Sequence, residues 1–411
     1  MEYDVAVIGG GPAGMMAAGR AGELGARVIL LEKNQRLGAK LLITGKGRCN
    51  ITNQTESDRE MIAAFGKNGK FLYPALKKFG VTEVMDFFAA HGVSTKVERG
   101  NRVFPASDSS RDVLDALVNY LIRSKVEVKY NSAVKEIICQ GGRIENLVLF
   151  GGREIRADKY ILATGGKSYP ATGSAGSGYA WLAKMGHTIN ELSPALAPII
   201  SEERFIKELE GLGLKNVAIS LFVGNKKIAS RFGEAIFTAK GMSGPVIIDL
   251  SQTIGQYLAR EPRLAIDFKP ALDYPRLDAR LQKDFAAQPN KMFKNYLPEL
   301  LPQKMIPVMI RLSGIDPARK INSISREERK RILHLLKEFS LTVAGVEGFD
   351  QAIITAGGAA LNEVDPRTMR SKKIENLFLA GEILDLHGPT GGFNLQQAWS
   401  TGYAAGEAVI K

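Results

Sequence analysis

The residues Gly9-Gly10-Gly11-Pro12-Ala13-Gly14 have the types and spacing of a phosphate-binding turn. Glycine at 9 permits a tight turn. Glycine at 11 lets a phosphate approach backbone N–H groups at a helix N-terminus, where the partial positive charge favours an anion. Glycine at 14 lets the helix lie close on a strand. Glu32 follows eighteen residues after Gly14. An acid at that place accepts hydrogen bonds from ribose hydroxyls and repels a 2′-phosphate. A GxGxxG string alone is a weak signal and is also consistent with a plain tight turn, so its value depends on the elements around it.

Those elements are present. Tyr3–Gly9 is a short β-branched run ending in glycine, as a buried parallel strand should. Pro12–Gly25 reads as a helix and Arg27–Glu32 as a second strand, completing a βαβ unit. Thr82–His91 and Ser110–Ser124 have helical periodicity, whereas 126–130, 133–139, 144–150 and 154–157 read as strands of a meander. Tyr160–Thr164 is another apolar strand, stopped by Gly165 and Gly166. After Pro194 the texture changes to prolines and short alternating runs, then to helical text from about 275 to 340. Leu377–Ala380 returns to strand, and a terminal helix spans about Asn394–Val409. The expected fold is α/β: a Rossmann-like doubly wound domain, discontinuous in sequence (1–194 and 345–411), with an inserted β-barrel-like domain (195–270) and a small helical domain (271–344).

The later text separates FAD from NAD as the resident dinucleotide. Ala163-Thr164-Gly165 resembles the strand-to-loop turn beside the dinucleotide in two-part flavoproteins. Leu377–Asp385 resembles a C-terminal flavin motif, where a strand delivers an acid to the ribityl chain; Glu382 and Asp385 both qualify. Gly391-Gly392-Phe393-Asn394 opens the last helix, and its free N–H groups suit negative charge on a reduced flavin. Leu37–Asn53 (LGAKLLITGKGRCNITN) is the most specific stretch. With Gly166–Tyr179, Thr355–Gly358 and Gly381–Gln396, it closely resembles the HI0933-like (YhiN/BaiN-type) family of bacterial FAD-binding NAD(P)/FAD-dependent oxidoreductases. The resemblance covers essentially the whole chain and implies FAD more securely than any substrate.

Motifs and resemblance together assign to the cofactor Gly9, Gly11, Pro12, Ala13, Gly14, Glu32 and Lys33 at the N-terminus. They add Lys40, Thr44, Gly45, Gly47, Arg48, Cys49 and Asn50 in the basic glycine segment, then Val134, Ala163, Thr164 and Gly165. From the C-terminal part come Gly381, Glu382, Asp385, Gly391, Gly392, Phe393, Asn394 and Leu395. No catalytic acid or base is assigned. His387 precedes the last helix, but the family pattern has an acidic or small residue there. Cys49 has no CxxC partner and reads as a packed loop residue.

Composition narrows the function classes. Two cysteines and four scattered histidines give neither a disulfide framework nor metal-ligand spacing, so no metal is expected. No secretory signal is evident at the N-terminus and no apolar run reaches the roughly twenty residues of a membrane helix, so cytoplasmic residence without a membrane partner is expected. The formal net charge is +12, with much of the excess between Lys291 and Lys337. A solvated helical face explains it more simply than a nucleic-acid surface, because no RNA-binding aromatic motif accompanies it. No second GxGxxG follows a mid-chain strand, so NAD(P)H is expected only as a transient electron donor. The leading function is hydride transfer between flavin and a small organic substrate or NAD(P)H. The alternatives are a flavin-dependent RNA-modifying enzyme and a non-catalytic flavin-bound sensor.

Overall fold

The computed structural model describes residues 2–411. Its packing divides the chain into two units, one running to Pro194 and resuming over Ala352–Lys411, the other spanning Ala195–Gln351.

In the first unit, the strand Tyr3–Ile8 (β1) is apolar on both faces and takes the centre of a five-stranded parallel sheet. On one side it pairs with Ala157–Leu162, which in turn pairs with Leu377–Leu379. On the other side lies Val28–Leu31 (β2), followed by Glu127–Lys129. The last of these was expected in a meander; instead it closes the parallel sheet, and the meander contains only Val134–Gln140, Arg143–Leu149 and Glu154–Ile155. Alternating valines describe a half-buried strand but do not say which neighbour it pairs with.

The helix Pro12–Glu23 (α1) starts on proline and has eight buried residues, all small or methionine. It packs against the last helix, Phe393–Ala408, backbone to backbone. A β-carbon on Gly402 would lie 2.5 Å from the Ala13 carbonyl oxygen, and one on Gly406 would lie 2.4 Å from that of Ala17. Ala13 meeting Gly402 and Ala17 meeting Gly406 means that the two helices run in the same direction.

The second unit contains a closed six-stranded barrel built from strands between Ile199 and Val346. Two boundaries differ from expectation. Phe339–Val346 is a barrel strand, and the chain returns to the first unit at 352 rather than 345. The helices Tyr274–Ala287, Ile306–Ser313 and Arg326–Lys337 share one hydrophobic core with the barrel, so packing draws no division at 270. A change of periodicity marks a change of element type, and the shared core makes the two one unit.

Candidate functional site

The N-terminal turn is built as the glycine spacing requires. Gly9 has φ +106°, and a β-carbon there would lie 2.5 Å from the Ala163 carbonyl oxygen, so the turn is seated directly on the end of Ala157–Leu162. At Gly14 a β-carbon would lie 1.9 Å from the Gly9 carbonyl oxygen, whereas at Gly11 it would meet nothing within 4 Å. Gly9 and Gly14 therefore satisfy packing, and Gly11 faces open space at the N-terminus of α1. The Glu32 carboxylate is buried at the end of β2, accepting from the amides of Gly10 at 2.8 Å and Asn34 at 2.8 Å. Those bonds orient it beside the turn and leave lone pairs for further donors. The amides of Asn131 and Ser132 donate to the carbonyls of Asn34 and Glu32, which carries the chain past Glu32 to buried Val134. Lys33 and Asn34 lie against Gly173, where a β-carbon would crowd both.

The segment after β2 is conformationally costly. Lys46 (φ 60°), between Gly45 and Gly47, and Cys49 (φ 61°), two residues after Gly47, are both left-handed. Non-glycine residues in that region cost of order 1–2 kcal/mol each and persist where the surroundings hold them. Thr44 anchors the turn through its hydroxyl on the Leu41 carbonyl and its own carbonyl under the Cys49 amide. The Arg48 guanidinium is engaged by Glu98 at 2.9 Å and Asp108 at 3.1 Å and lies over the Phe104 ring. Its role here is to brace the turn. Cys49 is fully buried, and burial pushes its thiol up to about 12 despite a hydrogen bond with Thr44. A thiol so placed carries no nucleophilic chemistry near neutral pH.

The C-terminal elements converge on the same unit. Glu382 accepts from Lys40 Nζ at 2.8 Å and from the Thr355 amide at 2.9 Å. Asp385 accepts from the Asn190 amide group at 2.7 Å. Gly381 is tied to the last helix through Thr401 Oγ1 and Gln397 Nε2. Gly392 (φ +102°) leaves no room for a β-carbon against the Thr52 backbone, and the Asn53 side chain donates to the Gly391 carbonyl. The Asn394 side chain folds back onto Gly388 and Pro389, while Phe393 meets Phe65 edge to face. The first amides of the last helix, through Leu395, therefore open beside the segment Cys49–Asn53.

The spacing of the two helix starts follows from their packing. Gly402 is level with Ala13 in the first turn of α1, and the last helix begins nine residues earlier, at Phe393. Since α1 itself begins one residue before Ala13, at Pro12, the offset is eight residues, and at 1.5 Å per residue the N-terminus of the last helix lies roughly 12 Å beyond that of α1. One unit thus presents two positive helix ends at a separation that suits an extended dinucleotide.

Three buried polar atoms here have no partner among the described residues: Asn50 Oδ1, Thr164 Oγ1 and His387 Nδ1. Each such atom costs on the order of 1–3 kcal/mol unless something satisfies it. With the open space at Gly11, they fit a long polar ligand. His387 is held neutral: burial pulls it below the ordinary histidine range, against the opposing charges of Asp385 and Glu382.

Sequence reading missed three contributors. Thr355 accepts at its hydroxyl from the amides of Lys167 and Ser168 while its own amide orients Glu382. Gly402 and Gly406 set the helix spacing; their four-residue repeat, matched by Ala13 and Ala17, was the available signal. Elsewhere in the unit, Ser371, His187 and Glu363 form a hydrogen-bonded chain of 2.9 and 3.2 Å. The Ser371 oxygen also accepts the amides of Lys373 and Ile374 and is buried, so the chain is a structural clamp without nucleophilic access.

A model of the HI0933-like protein Rossmann domain matches residues 3–408. The chain belongs to this family. It is an FAD-dependent oxidoreductase with a Rossmann-type FAD-binding domain. A 3-dehydro-bile acid delta(4,6)-reductase from Clostridium scindens is 33% identical, the alignment covering 99% of each chain. A ribosomal RNA dihydrouridine synthase from Escherichia coli is 28% identical over 100% of this chain and 98% of its own. Among solved structures, a 3-ketosteroid-delta4-(5alpha)-dehydrogenase from Rhodococcus jostii has a TM-score of 0.51 at 17% identity and covers 100% of this chain and 97% of its own. At that identity the likeness is one of fold. Among the described residues, no helix is long and apolar enough to cross a membrane. The expectation that nucleic acid is not a partner is contested by the Escherichia coli relative's name.

Proposed function

We propose that this protein reduces a carbon–carbon double bond conjugated to a carbonyl group, with NAD(P)H as the transient electron source. One observation carries the reading. The relatives aligned over at least 98% of their length, one bile acid reductase and two ribosomal RNA dihydrouridine synthases, are named for different substrates but for one bond change. A 3-dehydro steroid unsaturated at positions 4 and 6, and a uracil ring reduced to its dihydro form, both present an alkene polarised by a carbonyl.

The residues present suit FAD, which when bound supplies two-electron hydride chemistry. Gly11 and the amides of Ala13 and Gly14 would hold the pyrophosphate, and Glu32 the adenosine ribose. Glu382, fixed between Lys40 and the Thr355 amide, is the better placed ribityl partner, since Asp385 is already turned to Asn190. Amides at Phe393–Leu395 would favour negative charge at the far end of the cofactor. His387 Nδ1 is buried, unpaired and kept neutral, so it would hold a hydrogen bond to substrate or cofactor rather than a charge.

The test is anaerobic reduction of the FAD-loaded protein with NADH and with NADPH, followed by mixing with a conjugated enone. Reoxidation with formation of the saturated ketone is expected. Failure of every enone to reoxidise the reduced protein would refute the proposal in its small-molecule form.

The formal charge of +12 favours a second reading, in which the reduced alkene is a uracil in RNA. Dihydrouridine appearing in ribosomal RNA after incubation with protein and NADPH, with no turnover of free enones, would decide for it.

A further inference from the structure

In the barrel-containing unit, a cavity of about 670 Å³ lies between the strands Gly213–Val223 and Lys226–Phe237 and the segment leading into the helix Tyr274–Ala287. Its apolar walls are Phe232, Phe268 and Leu272, and its polar groups are Asn216, Lys269 and Arg280. No carboxylate lines it among the described residues. Phe232 is 55% exposed, large for an aromatic ring.

The cavity wall is a built feature. Asn216 has φ 54° within a bulge, where the strand register jumps between Leu214 and Val217. Lys337 Nζ ties the Phe268–Leu272 segment down, donating to Asp267 at 2.6 Å and to the carbonyls of Lys269 at 3.2 Å and Leu272 at 2.5 Å. Asp267 also accepts from the Lys269 amide at 2.8 Å. That carboxylate is therefore occupied, and the Lys269 ammonium has no ion-pair partner among the described residues. Burial, then the charge of Arg280, pulls the Lys269 amine below the usual lysine range. Arg280 has one ion-pair partner among the described residues, Asp284, at 3.6 Å.

We propose that this cavity binds a flat, apolar monoanion such as an aromatic carboxylate, its ring body against Phe232, Phe268 and Leu272 and its carboxylate on Lys269 and Arg280. Two cations facing an apolar hollow are stabilised by an anion that brings its own apolar surface. A neutral ring leaves the Lys269 ammonium without a counter-ion, and a free inorganic anion leaves Phe232 uncovered. The volume lies within the range of small-molecule sites.

The test is calorimetric titration of the full-length protein, saturated with FAD, using 1-naphthoate, 1-naphthalenemethanol and AMP. Binding of one naphthoate per chain is expected, with the alcohol at least ten-fold weaker and AMP no tighter than naphthoate. The double variant Lys269→Gln with Arg280→Gln should weaken naphthoate at least ten-fold, whereas Lys269→Arg should keep it within three-fold. Circular dichroism and FAD content report that the variants remain folded. Absence of naphthoate binding, equal affinity for the alcohol, or unchanged affinity in the double variant would overturn the proposal. AMP binding tighter than naphthoate would overturn the ligand class.

Discussion

Replacing Gly11 by valine separates cofactor binding from folding. Gly11 has φ −81° and ψ −177°, extended backbone that valine accepts readily, and a β-carbon there meets nothing within 4 Å. The folding cost should therefore stay within about 0.5 kcal/mol. The new isopropyl group would occupy the space in front of the α1 amides, where a phosphate must come within hydrogen-bond reach. Each hydrogen bond to a charged phosphate contributes about 1.5–3 kcal/mol, and losing two weakens FAD by about 10²–10⁴-fold. Gly14→Ala provides the contrast: its β-carbon would lie 1.9 Å from the Gly9 carbonyl oxygen, so helix and turn must separate and stability falls with cofactor. The assay is flavin absorbance per chain after purification, with apoprotein melting measured in parallel. Gly11→Val with full FAD occupancy would show that the phosphate does not sit at α1.

Gly402→Ala places a β-carbon at 2.5 Å from the Ala13 carbonyl, about 0.9 Å short of the 3.4 Å contact limit, so the last helix must shift. An overpacking cost of about 1–3 kcal/mol and weakened FAD binding are expected, and an unchanged melting temperature would contradict the helix packing. Cys49 should resist alkylation at pH 8 in the native protein while half-buried Cys139 reacts; mass mapping of both thiols checks this. His187 is held neutral by burial against the pull of Glu363, and its folded pKa lies below the ordinary 6.5. Its contribution is therefore intact above pH 6.5 and lost as the pH falls below it. Glu363, held down to about 2 by Lys373 and Thr188 despite burial, adds loss at more acidic pH, from about 4.5 downward. Melting between pH 8 and 5 should show a decline that is shallower in His187→Gln, and parallel curves would exclude His187 as its source. His387→Gln should retain FAD but alter stopped-flow reduction or turnover and its pH profile; if rates and profile match the unaltered protein, Nδ1 has no part in the chemistry.

The sequence by itself determined the βαβ start, the glycine turn and the acid at its second strand, because each follows from periodicity or spacing within about thirty residues. It also specified the terminal helix and its glycine entry. Tertiary structure alone decided which residues of the basic segment remain available. Arg48 reads as a ligand-binding cation until Glu98 and Asp108, fifty and sixty residues away, are seen to hold it. Glu382 and Asp385 likewise look alike in the chain and differ in the neighbours that reach them, Lys40 and the Thr355 amide for one and Asn190 for the other. Strand 127–129 joined the sheet and 339–346 the barrel for the same reason: pairing partners and shared cores are long-range properties, and local alternation carries no record of them. The roughly 12 Å offset between the two helix starts arises likewise from Ala13 and Ala17 meeting Gly402 and Gly406 across nearly the whole chain.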